Sequence, residues 1–361
     1  MKKLLLTTAI ASSALLAGNA IAQTTVSGQL DLNYKAISDE QRSGGVNSMR
    51  GFGKEWQINI QNKGKLNNGM DYAAGFALEG DGSQTGTPGL DENVYIDFIS
   101  GNTTFSVGTD HIQNSDRTAA NFVGFIAEDI PNQAGGGLGN DIFQASVGAD
   151  PVQAYGFGIV QNIPGMAAIS VWYAPTGEII PSNGATSFVG NDDQASESTS
   201  ESAYEVGITG SLGVKGLNVH AFKNKRDKAD AATTADSDVK GVNYGLSYNF
   251  GQVTAGYNYK KTTNQTAAST TVATNKGEIK QNEFGLAYAV SPTLTLGANY
   301  TKAEGTVSAG GTKADATSKS IAVGYSLGPI ALTAQVAKLE DYTGVAGVDA
   351  DVINLRASTK F

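Results

Sequence analysis

The chain predicts an all-β fold, a transmembrane antiparallel β-barrel of sixteen strands, and three observations predict it. Apolar residues alternate with Gly, Ser, Thr, Asn and charged residues in segments of roughly ten, the mark of a strand with one apolar face. The connections alternate between short turns and long polar stretches, as in an up-and-down barrel whose turns gather at one end. After residue 22 no apolar run approaches the ~20 residues of a membrane helix. Cys is absent, so disulfides do not hold the fold, whereas a closed barrel pairs its backbone groups within one continuous sheet.

The front of the chain reads as an export leader. Lys2 and Lys3 precede an apolar run from Leu4 to Leu16, and Ala20-Ile21-Ala22 supplies the small-x-small pattern of a cleavage site. The run is too short to span a bilayer. Residues 1–22 are therefore expected to be a signal peptide and 23–361 a single barrel, which no composition break or Pro-rich hinge divides. Loss of Lys2 and Lys3 with the leader takes the net charge from −9 to −11, a balance that argues against nucleic acid as a partner.

The strands follow in order from the period of two. Val26, Gly28, Leu30, Leu32 and Tyr34 share one face, against Ser27, Gln29, Asp31, Asn33 and Lys35 on the other. Trp56, Ile58 and Ile60 form the second apolar face, then Tyr72 to Leu78, Val94 to Phe98, and Phe105 with Val107. Tyr155 to Ile159, Ile169 to Tyr173, Tyr204 to Ile208 and Leu217 to Ala221 give four more. The last third alternates most cleanly: Val242 to Phe250, Val253 to Tyr259, Phe284 to Val290, Leu294 to Tyr300, Ile321 to Leu327, Ile330 to Val336 and Ile353 to Phe361. Sixteen is even, as antiparallel closure in a single-chain bacterial barrel requires.

Short turns are predicted at 67–69, 100–102, 163–165, 213–216, 251–252, 291–292 and 328–329. Long connections are predicted at 36–53, 80–91, 111–150, 176–202, 227–238, 263–279, 303–316 and 341–350. A soluble β-sandwich also alternates, but it buries its apolar face against a second sheet and does not call for strict short–long alternation. A wide barrel turns that face to lipid and keeps the polar face for an aqueous lumen. Aromatics on the apolar face fall toward both ends of the strands: Tyr34, Tyr173, Tyr259 and Tyr300 at one, Phe250, Tyr288, Tyr325 and Phe361 at the other, as interfacial girdles require.

With these segments in place the chain resembles the general bacterial porins, the sixteen-stranded trimeric diffusion channels of Gram-negative outer membranes. The resemblance runs through the mature chain and is carried by Val26-Ser27-Gly28-Gln29-Leu30, Gly69-Met70-Asp71-Tyr72, Thr104-Phe105-Ser106-Val107-Gly108 and the closing Leu355 to Phe361. It implies a water-filled channel for passive diffusion of small hydrophilic solutes and ions, in the outer membrane of a Gram-negative bacterium. It implies a homotrimer with contacts through the first and last strands and the 80–91 loop, and handling by the barrel-assembly machinery through a signal ending in Phe361. The apolar face of the first strand, Val26, Leu30 and Leu32, suits a symmetry mate and suits lipid equally.

The resemblance also implies that the third long loop, 111–150, folds inward as the constriction. Its acids, with the residue just before it, are the candidates for an acidic lining: Asp110, Asp116, Glu128, Asp129 and Asp141. They suit a solvated loop as well. Candidates for an opposing basic wall are Lys35, Arg42, Arg50, Lys54 and Arg117. Where related chains often carry Arg just after the fifth-strand Gly, this one has Gly108-Thr109-Asp110. Lumen parity adds Asp31, Glu55, Asp71, Glu79 and Asp97, and the expectation is a mild cation preference.

Lys223, Lys225, Arg226, Lys260 and Lys261, with Lys302 and Lys338, fall near the long-loop ends of strands, where lipopolysaccharide phosphates are candidate partners and simple solvation is the alternative. No cofactor and no structural metal is expected. The fourth-loop acids Asp192, Asp193, Glu197 and Glu201 suit Ca²⁺, though a solvated acidic loop accounts for them as well. Gly135 to Gly139 lacks the Lys-Ser/Thr of a phosphate loop. An enzyme is not expected: His111 and His220 are the two imidazoles, and there is no Gly-x-Ser-x-Gly elbow. A substrate-specific outer-membrane channel is the closest alternative, for which Tyr95 and Trp172 are the aromatics of lumen parity.

Overall fold

The computed structural model describes residues 22–39, 48–81, 89–108, 156–175, 202–226, 238–265, 277–306, 313–341, 347 and 349–361. Residues 1–21, all but the last of the expected signal peptide 1–22, lie outside them.

The described chain forms sixteen strands. The first eight are β1 (Gln23–Asp39), β2 (Ser48–Lys65), β3 (Asp71–Asp81), β4 (Gly89–Ser100), β5 (Thr103–Gly108), β6 (Gly156–Ile163), β7 (Ala167–Ala174) and β8 (Ala203–Gly210). The second eight are β9 (Leu217–Arg226), β10 (Val239–Asn249), β11 (Val253–Gln265), β12 (Gly277–Ser291), β13 (Leu294–Thr306), β14 (Lys313–Leu327), β15 (Ile330–Glu340) and β16 (Ala350–Lys360). Each pairs antiparallel with its sequence neighbours, and β16 pairs with β1, so the sheet closes on itself. Closure removes both sheet edges, which is what lets a sheet stand in hydrocarbon.

Burial runs opposite to that of a water-soluble protein. Leu32, Val171, Leu246, Phe284, Leu286, Ile321 and Ile353 are among many large apolar side chains left exposed. Asn243, Asn258, Gln281 and Thr301 are fully buried. The register explains the pattern, because directly paired residues share a face. Leu30 pairs with Trp56, Leu246 with Tyr257 and Val336 with Ile353, all on the outer face.

The seven predicted short turns are present, with the bend near each predicted position. In the Asn67-Asn68-Gly69 turn, Gly69 N donates to Leu66 O at 2.8 Å and Asn68 Oδ1 accepts from Met70 N at 3.1 Å. Gly69 takes φ +85°, a conformation that costs a side-chain-bearing residue dearly.

Several long connections are shorter than the apolar periodicity suggests. β1 continues to Asp39, β11 to Gln265 and β13 to Thr306. The apolar alternation stops where a strand leaves hydrocarbon, yet the ladder continues with small, polar or charged residues on the outer face: Ala36 and Ser38 on β1, Lys261 and Thr263 on β11, Lys302 and Glu304 on β13.

The seam between β1 and β16 is closed at two levels. Gly28 N donates to Phe361 O at 2.7 Å and Phe361 N to Gly28 O at 3.0 Å. The Phe361 ring lies over Gly28, so that a Cβ there would stand 2.5 Å from ring carbon Cζ. Further along, Arg356 Nη2 donates to Asp31 Oδ2 at 2.6 Å, and Gln29 Nε2 donates to the same oxygen at 2.6 Å. Gly28→Val is expected to displace the ring and cost about 1–3 kcal/mol by overpacking. Gly51→Val, which meets nothing within 4 Å, should stay within about 0.5 kcal/mol of wild type. Urea midpoints of the refolded barrel check this, and equal midpoints for the two variants would refute the ring-on-glycine account.

Candidate functional site

The site is the inner wall of the barrel. Alternation sends Asp31, Asn33 and Lys35 of β1 inward, and each neighbouring strand continues the polar rows by register. One row runs from His220 on β9 through Gly245, Asn258, Glu283 and Thr301 to Ser318 on β14. The row one dyad nearer the long loops runs Phe222, Asn243, Lys260, Gln281, Ala303, Ala316.

These two rows are knitted together. Lys260 Nζ stands 3.0 Å from Glu283 Oε1, with both side chains only 4% exposed. The same carboxylate accepts from Asn258 Nδ2 at 2.9 Å and from Gln281 Nε2 at 2.5 Å. His220 Nε2 lies 2.5 Å from Asn243 Oδ1 and 3.1 Å from Asn258 Oδ1. With those amide orientations it donates to both, and Asn258 relays from His220 to Glu283. Nearby, Asn224 Nδ2 donates to Glu205 Oε2 at 3.0 Å. A buried ion pair recovers its desolvation cost only when further hydrogen bonds complete it, and Glu283 has them.

The inner wall is close to charge balance. Among the described residues the inward carboxylates are Asp31, Glu55, Asp71, Glu79, Asp97, Glu205 and Glu283. The inward cations are Lys35, Lys63, Lys65, Lys260, Arg356 and Lys360, one fewer. Acids gather on β1–β4, where the register sets Asp31 opposite Glu55 and Gln57 opposite Glu79. At the short-turn mouth Lys65 pairs with Asp71 at 2.5 Å, in the open.

The predicted basic wall is corrected in part. Lys35 faces inward. Lys54 does not: it pairs with Leu32, which is 51% exposed, and Arg50 pairs with Ala36 on the same outer face. Odd residues of β2 own the lumen, so Glu55 and Lys54 cannot share it. Arg42 and Arg117 lie outside the described residues, as do Asp110, Asp116, Glu128, Asp129 and Asp141. The fourth-loop acids and His111 lie outside them too.

The predicted rim is corrected at one position. Lys260 is 3% exposed and points inward to Glu283; adjacent residues of a strand face opposite ways, so it cannot join Lys261 at the lipid face. Lys261 does face outward, with Glu278 at 2.6 Å. Lys223 pairs with Val242 and Val206 on the outer face, and Lys225 faces out beside Asp238 at 2.8 Å. Arg226 ends β9 opposite Val239; its side chain is not described. Lys302 and Lys338 face outward, each beside carboxylates.

Sequence reading passed over Arg356, Glu205, Glu283 and Phe222 as lumen residues, though strand parity alone places them there. The inward aromatics lie flat on the wall: a Cβ on Gly207 would meet the Phe222 ring at 2.1 Å, and one on Gly156 the Trp172 indole nitrogen at 2.9 Å. Tyr95 accepts a hydrogen bond from Gln61 Nε2. Trp172 is 1% exposed, so it offers no open face for a sugar to stack on.

Comparison with known proteins fits this geometry. The family model described as Gram-negative porin matches residues 7–344. Among solved structures, the anion-selective porin from Comamonas acidovorans superposes with a TM-score of 0.68 at 13% identity, over 94% of this chain and 100% of that one. A loop L8 deletion mutant of OmpT, an outer membrane protein of Vibrio cholerae, gives 0.61 at 14%, over 94% and 99%. A mutant of the Rh. blastica porin gives 0.56 at 16%, over 94% and 100%. No curated protein sequence matches significantly. A closed sixteen-stranded barrel, apolar outside and polar within, carries the match across nearly its whole length: the chain belongs to the Gram-negative porin family, in the outer membrane.

Proposed function

We propose that the barrel is a passive diffusion channel for small hydrophilic solutes and ions, with a mild cation preference. The observation that carries this reading is the inversion of burial: amides, hydroxyls and paired charges line the inside of a closed sheet whose outside is apolar. Passage needs no chemical step and no cofactor. The long loops face the exterior and the short turns the periplasm, following the usual arrangement of outer-membrane barrels.

The cation preference rests on the carboxylates of β1–β4 and on the net charge of −9. The excess of inward carboxylate over cation is small, which is why the preference is mild. The anion selectivity in the name of the Comamonas acidovorans porin is that protein's own; at 13% identity the likeness reaches the fold and not the lining charges. The segment 111–150 as constriction, with its acidic candidates, belongs to this proposal, as do cleavage after Ala22 and recognition of Phe361 by the assembly machinery. A homotrimer is supported by a structural neighbour described as a trimer form. A substrate-specific channel is less well supported, because the inward aromatics are sealed against glycines.

Two measurements test this. The refolded mature chain in a planar bilayer is expected to give large ohmic steps arriving in threes; small steps blocked by one particular solute would favour the specific channel instead. Under a salt gradient the reversal potential should report cations passing more readily than chloride, and the opposite sign would refute the preference. A unit charge ~8 Å from the ion path acts through water with ~0.5 kcal/mol, so Glu79→Gln with Asp97→Asn should lower the cation-to-anion permeability ratio about twofold or more. An unchanged ratio would remove these carboxylates from the selectivity argument.

A further inference from the structure

Glu283 fixes the orientation of the amides around it. A carboxylate only accepts, so the atoms of Asn258 and Gln281 that face it, at 2.9 and 2.5 Å, are their amide nitrogens. Asn258 therefore turns Oδ1 toward His220, and His220 Nε2, 3.1 Å away, carries the proton. The same N–H lies 2.5 Å from Asn243, so the Asn243 atom that it meets is Oδ1. Donors and acceptors are thus set from one end of the network, with no freedom to exchange O for N at any of its amides.

Two atoms are left over. Asn243 Nδ2 donates to nothing and Gln281 Oε1 accepts from nothing, although both side chains are 0% exposed. A buried amide atom without a partner has lost its hydration and gained nothing in return. Turning either amide over would bring no relief. It would set an N–H against the His220 N–H, or a carbonyl oxygen against the Glu283 carboxylate.

The register places the two orphans on either side of one charge pair. Asn243 stands opposite Lys260 on β11, and Lys260 stands opposite Gln281 on β12. Gln281 is itself bonded to Glu283, whose carboxylate lies 3.0 Å from Lys260 Nζ. The row therefore offers a donor beside positive charge at one end and an acceptor beside negative charge at the other. Two ladder steps, roughly 10 Å between Cα atoms, leave space for a hydrogen bond at each end of a molecule whose own charges lie close together. Phe222 and Ala303 flank the row. The next row toward the long loops, Gly241, Thr262, Ile279 and Gly305, is uncharged and contains two glycines. A lone anion would meet Glu283 and a lone cation would meet Lys260, whereas a molecule carrying both charges is matched at both ends.

We propose that the row Asn243–Lys260–Gln281 is a weak binding site for small zwitterions of the α-amino acid class crossing the lumen. The ligand carboxylate accepts from Asn243 Nδ2 beside Lys260, and the ligand ammonium donates to Gln281 Oε1 beside Glu283. The ligand side chain lies toward the uncharged row of Gly241 and Gly305. Binding is weak because both ligand charges must shed water to enter, and that suits a channel from which solutes must also leave. The inference rests on the reading of the barrel as a diffusion channel, whose solutes reach the inner wall.

The test uses the refolded mature barrel in detergent and ligand-observed NMR, reading saturation transferred from the protein to L-alanine. Lactamide, the neutral isomer of alanine, is the paired probe. L-alanine should give a saturable signal and lactamide none. Asn243→Asp keeps the oxygen that His220 needs and removes the orphan donor; Gln281→Met removes the orphan acceptor at equal chain length. Each should raise the half-saturating alanine concentration about tenfold, as expected for one hydrogen bond to a charged group. Gln335→Met, at a buried inward amide on β15, should stay within about twofold of wild type. Equal signals from alanine and lactamide overturn the proposal, as does an unchanged half-saturating concentration in both network variants. A wild-type barrel that conducts in large ohmic steps yet gives no alanine signal removes this site and leaves the pore standing, the orphan atoms then holding water alone. A barrel that does not conduct removes the reading beneath it.

Discussion

The structure depends on one constraint: a sheet in hydrocarbon has no water to satisfy its backbone, so every N–H and C=O must find a partner within the sheet. Closure of β16 onto β1 meets that demand, and the seam is where it can fail. The two exchanged bonds between Gly28 and Phe361 secure one end. The Phe361 ring covers the space that the missing side chain of Gly28 leaves. The Arg356–Asp31 pair at 2.6 Å crosses the same seam on the inner face. One side of the seam is thus held by packing against lipid and the other by charge in the lumen, each interaction suited to its medium.

The same constraint explains why so much polarity is buried. In a soluble core Asn243, Asn258, Gln281 and Glu283 would be a liability, since each polar atom removed from water needs a partner. On the concave inner face they become partners for one another, and the rows β9–β12 bind neighbouring strands at side-chain as well as backbone level. Such networks hold strands in register: a one-residue slip of β11 would turn Asn258 out of the lumen, breaking its bonds to His220 and Glu283, and turn Tyr257 and Tyr259 in.

Most of the fold was legible because period-two patterning is a direct record of two media. All sixteen strands and seven turns follow from it, since a strand passing through lipid cannot afford a polar outward residue. The signal fails where the medium no longer imposes it. Beyond the hydrocarbon the outward positions turn small, polar or charged, so the ends of β1, β11 and β13 read as loop though their ladders continue. Lys54 and Lys260 depart from expectation for a related reason: both lie near strand ends, where position suggests lumen mouth or rim, but the neighbours Glu55 and Lys261 fix their faces by parity. Arg356 carries the same parity signal, far along the sequence from the Asp31 it pairs with. The acids expected in 111–150 are a different matter, because a long loop has no period from which its direction can be read.

Charge on the two faces of the wall therefore has different meanings. Inside, Lys260 and Glu283 are locked to each other, so their contribution to the field along the axis is that of a dipole and not of a free charge; Asp31 is likewise paired with Arg356, although the ladder also sets it opposite Glu55 with like sign. Outside, the opposed lysines of β9–β12 repeat that like-charge geometry with the opposite sign. In both places the sheet tolerates repulsion that an isolated sheet would relieve by mutation or by rotating a side chain away. Arg356 offsets the first at Asp31, and Glu278, with one oxygen on each of Lys261 and Lys280, offsets part of the second. On this view the like charges that the ladder sets opposite one another are held by side chains of opposite sign that the sheet itself supplies.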